Sequence, residues 1–120
     1  MLAVGVDIIE IGRIAGVFER WGSRFLEKVY TPAEIAFCQG RVPELAVRFA
    51  AKEAVSKALG TGIQGIAWTE IEILPDPRGK PEVQLTDRAL ARAQALGLEQ
   101  WAISLSHSDG NAIAFCVASS

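Results

Sequence analysis

Metal-binding and thiol residues are scarce in this 120-residue chain: one histidine, His107, and two cysteines, Cys38 and Cys116, far apart and without C-x-x-C spacing. A structural zinc site needs four clustered nitrogen or sulfur ligands, so that class is excluded. Two isolated thiols do not make a disulfide framework and fit a reducing compartment. No apolar run approaches the ~20 residues of a membrane span. The start, Met1 to Asp7, has no basic region, and Asp7 interrupts its apolar stretch, unlike a secretory leader. A soluble, cytoplasmic protein is expected. Neither sign of charge dominates: 12 Lys and Arg stand against 14 Asp and Glu, a formal net charge of −2. That argues against a nucleic-acid binder working through bulk charge.

What is present is ordinary globular composition, 50% hydrophobic and 22% charged, without internal repeat or low-complexity tract. Residues 1–120 make one domain. A chain of this size buries roughly two thirds of its unfolded surface and needs no staples. A (β/α)₈ barrel, or a dinucleotide fold with a substrate domain, does not fit.

Hydrophobic periodicity then orders the chain. Leu2 to Ile9 reads as a strand, and Glu10 to Trp21 carries Ile11, Ile14, Ala15 and Phe18 at helical spacing. Arg24 to Tyr30 adds a turn or two of helix. Thr31-Pro32-Ala33-Glu34 is a capping box with proline at the first helical position, predicting a helix through Cys38 that Gly40 ends. Pro43 to Leu59 is the strongest helix, alanine-rich and stopped by Gly60-Thr61-Gly62. Trp68 to Leu74 alternates as a half-buried strand, and after the Asp76–Gly79 turn Pro81 to Leu85 returns as its hairpin partner. Thr86-Asp87 caps a helix to Leu96, with Gly97 as its stop. Trp101–Ser106 and Asn111–Val117 are strands joined through His107-Ser108-Asp109-Gly110. The order β-α-α-α-β-β-α-β-β predicts an α+β domain, a mainly antiparallel sheet packed on a long central helix. Ala112 to Ala118 is apolar on both faces, so it is expected to be covered on both, within the domain or by another copy.

Three segments carry polar groups in unexpected places. Asp7 lies in an apolar strand, where a carboxylate has to be paired, coordinated or solvated; helix capping is the plain reading. On the long helix Glu53 and Lys57 are four apart, in the favourable order, and Arg48 and Lys52 form a neighbouring basic stripe. The alanines between them leave both faces open. A solvated ion pair is the plain reading; an acid beside two basic pairs also suits phosphates with Mg²⁺, which takes a few carboxylates plus phosphate oxygens. In Ser104-Leu105-Ser106-His107-Ser108-Asp109-Gly110 the two serines before the lone histidine share one side of a strand. A Ser-His-Asp relay does not form between residues so close along an extended chain, and there is no G-x-S-x-G elbow. A polar hairpin turn or a phosphate-binding strand end remains.

Together, Val4-Gly5-Val6-Asp7, Arg48-Phe49-Ala50-Ala51-Lys52-Glu53-Ala54, Lys57 and Ser104-Leu105-Ser106-His107 closely resemble the holo-[acyl-carrier-protein] synthases, the small 4′-phosphopantetheinyl transferases. The likeness runs the whole length and includes Gly60-Thr61-Gly62 and Gly79-Lys80-Pro81. It implies transfer of the phosphopantetheine arm of coenzyme A to a serine of an apo acyl carrier protein, releasing adenosine 3′,5′-bisphosphate. It implies Asp7 and Glu53 as Mg²⁺ ligands, Lys57 at the reacting phosphate, and Glu53 or a metal-bound water as the base. Arg48, Lys52, Ser106 and His107 resemble coenzyme A contacts, and Gly60, Thr61 and Gly62 a loop near the nucleotide. Arg13, Arg20 and Arg24 resemble the basic helix that docks acidic carriers. Larger relatives carry a second acid two residues after the first ligand; Ile9 stands there, as in the small form. That form resembles homotrimers with active sites between subunits.

The rival reading is a non-catalytic oligomeric sensor that binds coenzyme A or a nucleotide. Such a module would use the basic residues and Ser106-His107 but has no need of Asp7 paired with Glu53.

Overall fold

The computed structural model describes residues 1–120. Strand β1 (Leu2–Glu10) leads into three helices, α1 (Ile11–Trp21), α2 (Ser23–Val29) and α3 (Pro32–Cys38), then the long α4 (Val42–Leu59). A hairpin of β2 (Ile71–Pro75) and β3 (Pro81–Leu85), helix α5 (Asp87–Leu96), and strands β4 (Gln100–His107) and β5 (Asn111–Ser119) complete the chain. The α+β class and antiparallel pairing are as expected, but the strands form two sheets, β1-β5-β4 and β2-β3. The first and last strands pair along their whole length, from Leu2 opposite Ser119 to Glu10 opposite Asn111.

Helix α4 lies between the sheets. Twelve of its eighteen residues are buried, including Ala50, Ala51, Ala54 and Ala58. The alanines therefore do not keep two faces open, as the sequence suggested; they let the helix settle on the small inner residues Ala112, Ala114, Cys116 and Ala118 of β5. Gly5 marks the closest approach. A Cβ there would sit 1.8 Å from the carbonyl oxygen of Ala54, which backbone cannot yield cheaply. Gly5→Ala is expected to cost about 3 kcal/mol, since the helix has to lift off the sheet. Urea unfolding checks this, and a loss below ~1 kcal/mol would show that the helix moves freely.

Local signals hold at most boundaries. Thr31 and Glu34 form the expected capping box with Pro32 in the first turn. Gly60 and Gly97 close α4 and α5 in left-handed conformation. Helix α3 ends one residue before the expected stop, with Gln39 itself left-handed. Thr86 precedes α5 but makes no side-chain cap. Trp68–Glu70, expected in β2, is a 3₁₀ turn. Its cause is Glu70, which turns inward and accepts hydrogen bonds from the backbone N–H groups of Ala67 and Ala89 and from the Arg88 guanidinium.

Strand β5 is covered on one face only. Its inner residues are buried, whereas Ile113 and Phe115 are 39% and 45% exposed on the other. Opposite them on β1, Ile8 and Val6 are 63% and 49% exposed, extending the same apolar face.

Candidate active site

Alternation along β1 turns Asp7 inward, toward α4, while Val6 and Ile8 point out. On α4, Glu53 and Lys57 lie one turn apart on the flank that faces β1. The three side chains line a cleft of ≈ 570 Å³ together with Arg13, Glu10, Phe49 and Asn111. Lys57 Nζ donates to Asp7 Oδ1 and to the carbonyl of Val6, both at 3.0 Å. The partner of Lys57 is thus Asp7, on a strand fifty residues away, rather than Glu53 one turn back. Burial raises the carboxyl pKa of Glu53 above its ordinary value, the Asp7 charge adds to this, and Lys57 opposes it. An acid pair held close with one lysine is a site poised for a cation or for phosphate oxygens.

Divalent-metal fit can be judged from the donors. No group of three or more His, Cys, Asp or Glu residues could hold a metal ion alone. Two carboxylates suit Mg²⁺, which keeps waters and takes phosphate oxygens from a substrate. Ile9 is buried in the core and adds no third ligand.

A second groove, ≈ 480 Å³, lies on the other flank of α4 and is lined by Arg48, His107, Gly79, Lys80, Phe37 and Glu44 among others. Arg48 is nearly buried, its Nε donating to the carbonyl of Ile73 at 2.9 Å and its Nη1 to Glu44 Oε1 at 2.7 Å. Nη2 has no internal partner and no buried polar atom of the chain is unsatisfied, so Nη2 opens to the groove. The Arg48 guanidinium also covers the Phe37 ring at 4.5 Å, and that of Arg41 lies 5.1 Å from the same ring. Arg41 donates instead to the carbonyls of Cys38 and Phe37 and does not line the groove; Lys80, which does line it, was not singled out as a ligand contact from sequence. Lys80 was signalled by the Gly79-Lys80-Pro81 turn, where Asp76 Oδ1 accepts the Arg78 and Lys80 backbone N–H groups.

Ser106 and His107 are separated by strand alternation. His107 lines the groove, whereas Ser106, opposite Ile113, belongs to the outer apolar face. Gly60, Thr61 and Gly62 directly follow the last turn of α4, where Arg92 donates to the carbonyl of Leu59 at 3.0 Å.

Lys52 departs most from its expected place. It is fully buried, not on a ligand-facing stripe. Its ammonium donates to Glu34 Oε1 at 2.7 Å, to the carbonyl of Trp68 at 3.0 Å and to the carbonyl of Ile71. Those bonds use all three donors. Burial pulls its pKa down, and Glu34 opposes that. The physical reason for the correction is that α4 is wrapped by β2 on this side.

On α1 and α2, Arg20 and Arg24 flank the exposed Trp21, with guanidinium carbons 5.3 and 5.7 Å from its ring. A hollow of ≈ 380 Å³ beside them is lined by Val17, Trp21, Arg24, Phe25 and Lys28. Arg13 sits apart from this pair, at the acid cleft.

The sequence model of the 4′-phosphopantetheinyl transferase superfamily matches residues 3–116. A holo-[acyl-carrier-protein] synthase of Dehalococcoides mccartyi is 52% identical over 118 residues, covering 98% of each chain. One of Herpetosiphon aurantiacus is 49% identical over 124 residues, again with 98% of each chain. Among solved structures, the Helicobacter pylori holo-[acyl-carrier-protein] synthase in complex with coenzyme A superposes with a TM-score of 0.88 at 34% identity, covering 97% of this chain and 99% of that one.

Proposed function

Because the chain belongs to the 4′-phosphopantetheinyl transferase superfamily, and within it to the holo-[acyl-carrier-protein] synthases, we propose that it transfers phosphopantetheine from coenzyme A to a serine of an apo acyl carrier protein. The carrier serves fatty-acid or polyketide synthesis in the cytoplasm. The observation that carries this reading is the meeting of Asp7, Glu53 and Lys57 in one open cleft.

The serine oxygen bonds to the β-phosphorus of the coenzyme A pyrophosphate, and the bond from that phosphorus to the bridging oxygen breaks. Adenosine 3′,5′-bisphosphate leaves with the electron pair. Asp7 and Glu53 would hold Mg²⁺, which would supply charge to offset that building on the phosphate oxygens. Lys57, half-exposed at the cleft, is placed to meet a phosphate oxygen as well as Asp7. The serine proton has to leave, and Glu53 or a metal-bound water would accept it. Arg48 and His107, with Lys80, make the second groove suited to the nucleotide phosphates, while Gly60, Thr61 and Gly62, beyond the end of α4 and outside that groove, are read by resemblance as a backbone approach to the nucleotide. Ser106 and Lys52 do not share that groove.

The two clefts lie on opposite flanks of α4, so one coenzyme A is read as bridging the acid cleft of one subunit and the basic groove of another, in a homotrimer. The exposed apolar face of β1 and β5 is the surface such a trimer buries.

The deciding experiment is the intact mass of apo carrier protein after incubation with this protein, coenzyme A and Mg²⁺. The expected result is a gain of one phosphopantetheine, lost with EDTA or when the carrier serine is replaced by alanine. No gain across several carriers would overturn the reading. Arg13, exposed at the acid cleft, and the Arg20–Trp21–Arg24 cluster are read as carrier contacts, steering an acidic partner by local potential. Arg13→Glu is expected to raise KM for carrier about tenfold while KM for coenzyme A stays within about twofold. The reverse pattern in steady-state kinetics would move the docking surface elsewhere.

A further inference from the structure

The unpaired edge of β2 is covered by side chains instead of a third strand. Glu34 Oε2 accepts the Ile73 backbone N–H at 2.9 Å, Arg48 donates to the Ile73 carbonyl at 2.9 Å, and Lys52 donates to the Ile71 carbonyl. Glu34 Oε1 meanwhile accepts from Lys52 and from the Thr31 backbone N–H, so one carboxylate caps α3, extends β2 and neutralises Lys52. Both Glu34 and Lys52 are fully buried, and no buried side-chain nitrogen or oxygen in the chain lacks a hydrogen bond.

This node adds directional bonds to a helix that is also held by the buried side chains of Leu45, Val55 and Leu59 and by the close Gly5–Ala54 approach. The face of α4 against the large sheet is mostly alanine, which offers shallow ridges, and hydrophobic contact is not directional. Hydrogen bonds are directional. Arg48 and Lys52, one turn apart, fasten one stripe of α4 to β2; Glu53 and Lys57 occupy the stripe about 100° around the helix, facing β1. A roll of α4 about its axis therefore changes the separation of Glu53 from Asp7.

We infer that Lys52 and Glu34 are positioning residues, whose buried pair sets the rotation of α4 that holds Glu53 beside Asp7, and that Lys52 touches no ligand. The inference rests on the transferase reading only for its kinetic consequence. Crystal structures of Lys52→Met and Glu34→Gln test the geometry directly, alongside turnover and calorimetric binding of adenosine 3′,5′-bisphosphate. Both variants are expected to displace the Glu53 carboxylate relative to Asp7 by about 1 Å, to lower kcat ~10²-fold, and to leave nucleotide Kd within about threefold. Glu53 unmoved in both variants would overturn the inference. So would a loss of nucleotide affinity in Lys52→Met that Glu34→Gln does not share, because that is the signature of a direct phosphate contact. If Lys52→Met does not fold, Glu34→Gln, which keeps the side-chain volume, carries the same test. If the wild-type chain transfers nothing, the transferase reading fails, while the crystallographic comparison still decides what the pair positions.

Discussion

Glu53→Gln is expected to abolish Mg²⁺-dependent turnover and, at the same time, to raise the melting temperature of the metal-free protein. The two effects share one cause. Glu53 is placed where burial and the Asp7 charge both penalise its ionised form, with Lys57 compensating only in part. The folded chain therefore holds the Glu53 proton to higher pH than the unfolded chain does. Across the interval from the ordinary carboxylate value up to the raised folded one, the unfolded state binds fewer protons, so stability falls as pH rises. Above that interval the metal-free protein carries the penalty in full. A neutral amide of the same shape removes it. On the proposed ligation Mg²⁺ would offset the same penalty, so adding MgCl₂ should raise the melting temperature of wild type and leave that of Glu53→Gln unchanged.

Activity responds in the opposite direction. With one of two carboxylates gone, the charge building on the pyrophosphate loses its neutralisation, and kcat should fall by at least ~10²-fold. Asp7→Ala should lose as much turnover, but it also removes the partner of Lys57, a half-exposed pair worth about 0–1 kcal/mol, so it gains less stability. Thermal melts with MgCl₂ or EDTA, beside the carrier mass assay, check both halves. Mg²⁺-dependent turnover retained by Glu53→Gln, or a lower metal-free melting temperature, would remove Glu53 from the role given to it.

The contrast between Glu53 and Lys52 shows what the sequence could carry. Both stood out as polar residues on an alanine-rich helix, and spacing put each on a definite stripe. Spacing does not say what faces a stripe. The partner of Lys57 came from β1 and that of Lys52 from α3, each brought near by tertiary packing rather than by the turn of a helix. Glu70 misled in the same way: its alternation with Ile71 and Ile73 suited a strand, but bonds to Ala67, Arg88 and Ala89 turned it inward. Elements governed by their own residues were legible. The Thr31–Glu34 box, the glycine stops of α4 and α5, and the β2–β3 hairpin needed only local chemistry or apolar patterning. The final strand lay between these cases. Its apolar character on both faces was plain, and no element of the chain covers the second face.

Phe115→Glu is expected to convert the protein to a folded monomer with turnover reduced at least ~10²-fold. Phe115 lies at the middle of the outer face, paired with Val6 on one side and Ser104 on the other. Around it Leu2, Val4, Ile8 and Ile113 are all more than a third exposed, an apolar field too continuous for a solvated surface. Glutamate on this field costs nothing to a monomer, since the position faces water, but an interface would have to bury an unpaired charge. Folding and assembly are thereby separated in one substitution. The loss of turnover follows from where the two clefts sit. β1, with Asp7, and β4, with His107, are the two edges of the three-stranded sheet, and α4 stands between the acid cleft and the basic groove. In the proposed homotrimer, one copy's acids would lie opposite another copy's arginine and histidine, so the substrate would not have to bend around the helix. Sedimentation velocity with circular dichroism and the carrier mass assay measures all three properties. A folded monomer with full turnover would show that one chain completes the site alone, and an unchanged trimer would place the contact between copies on another face.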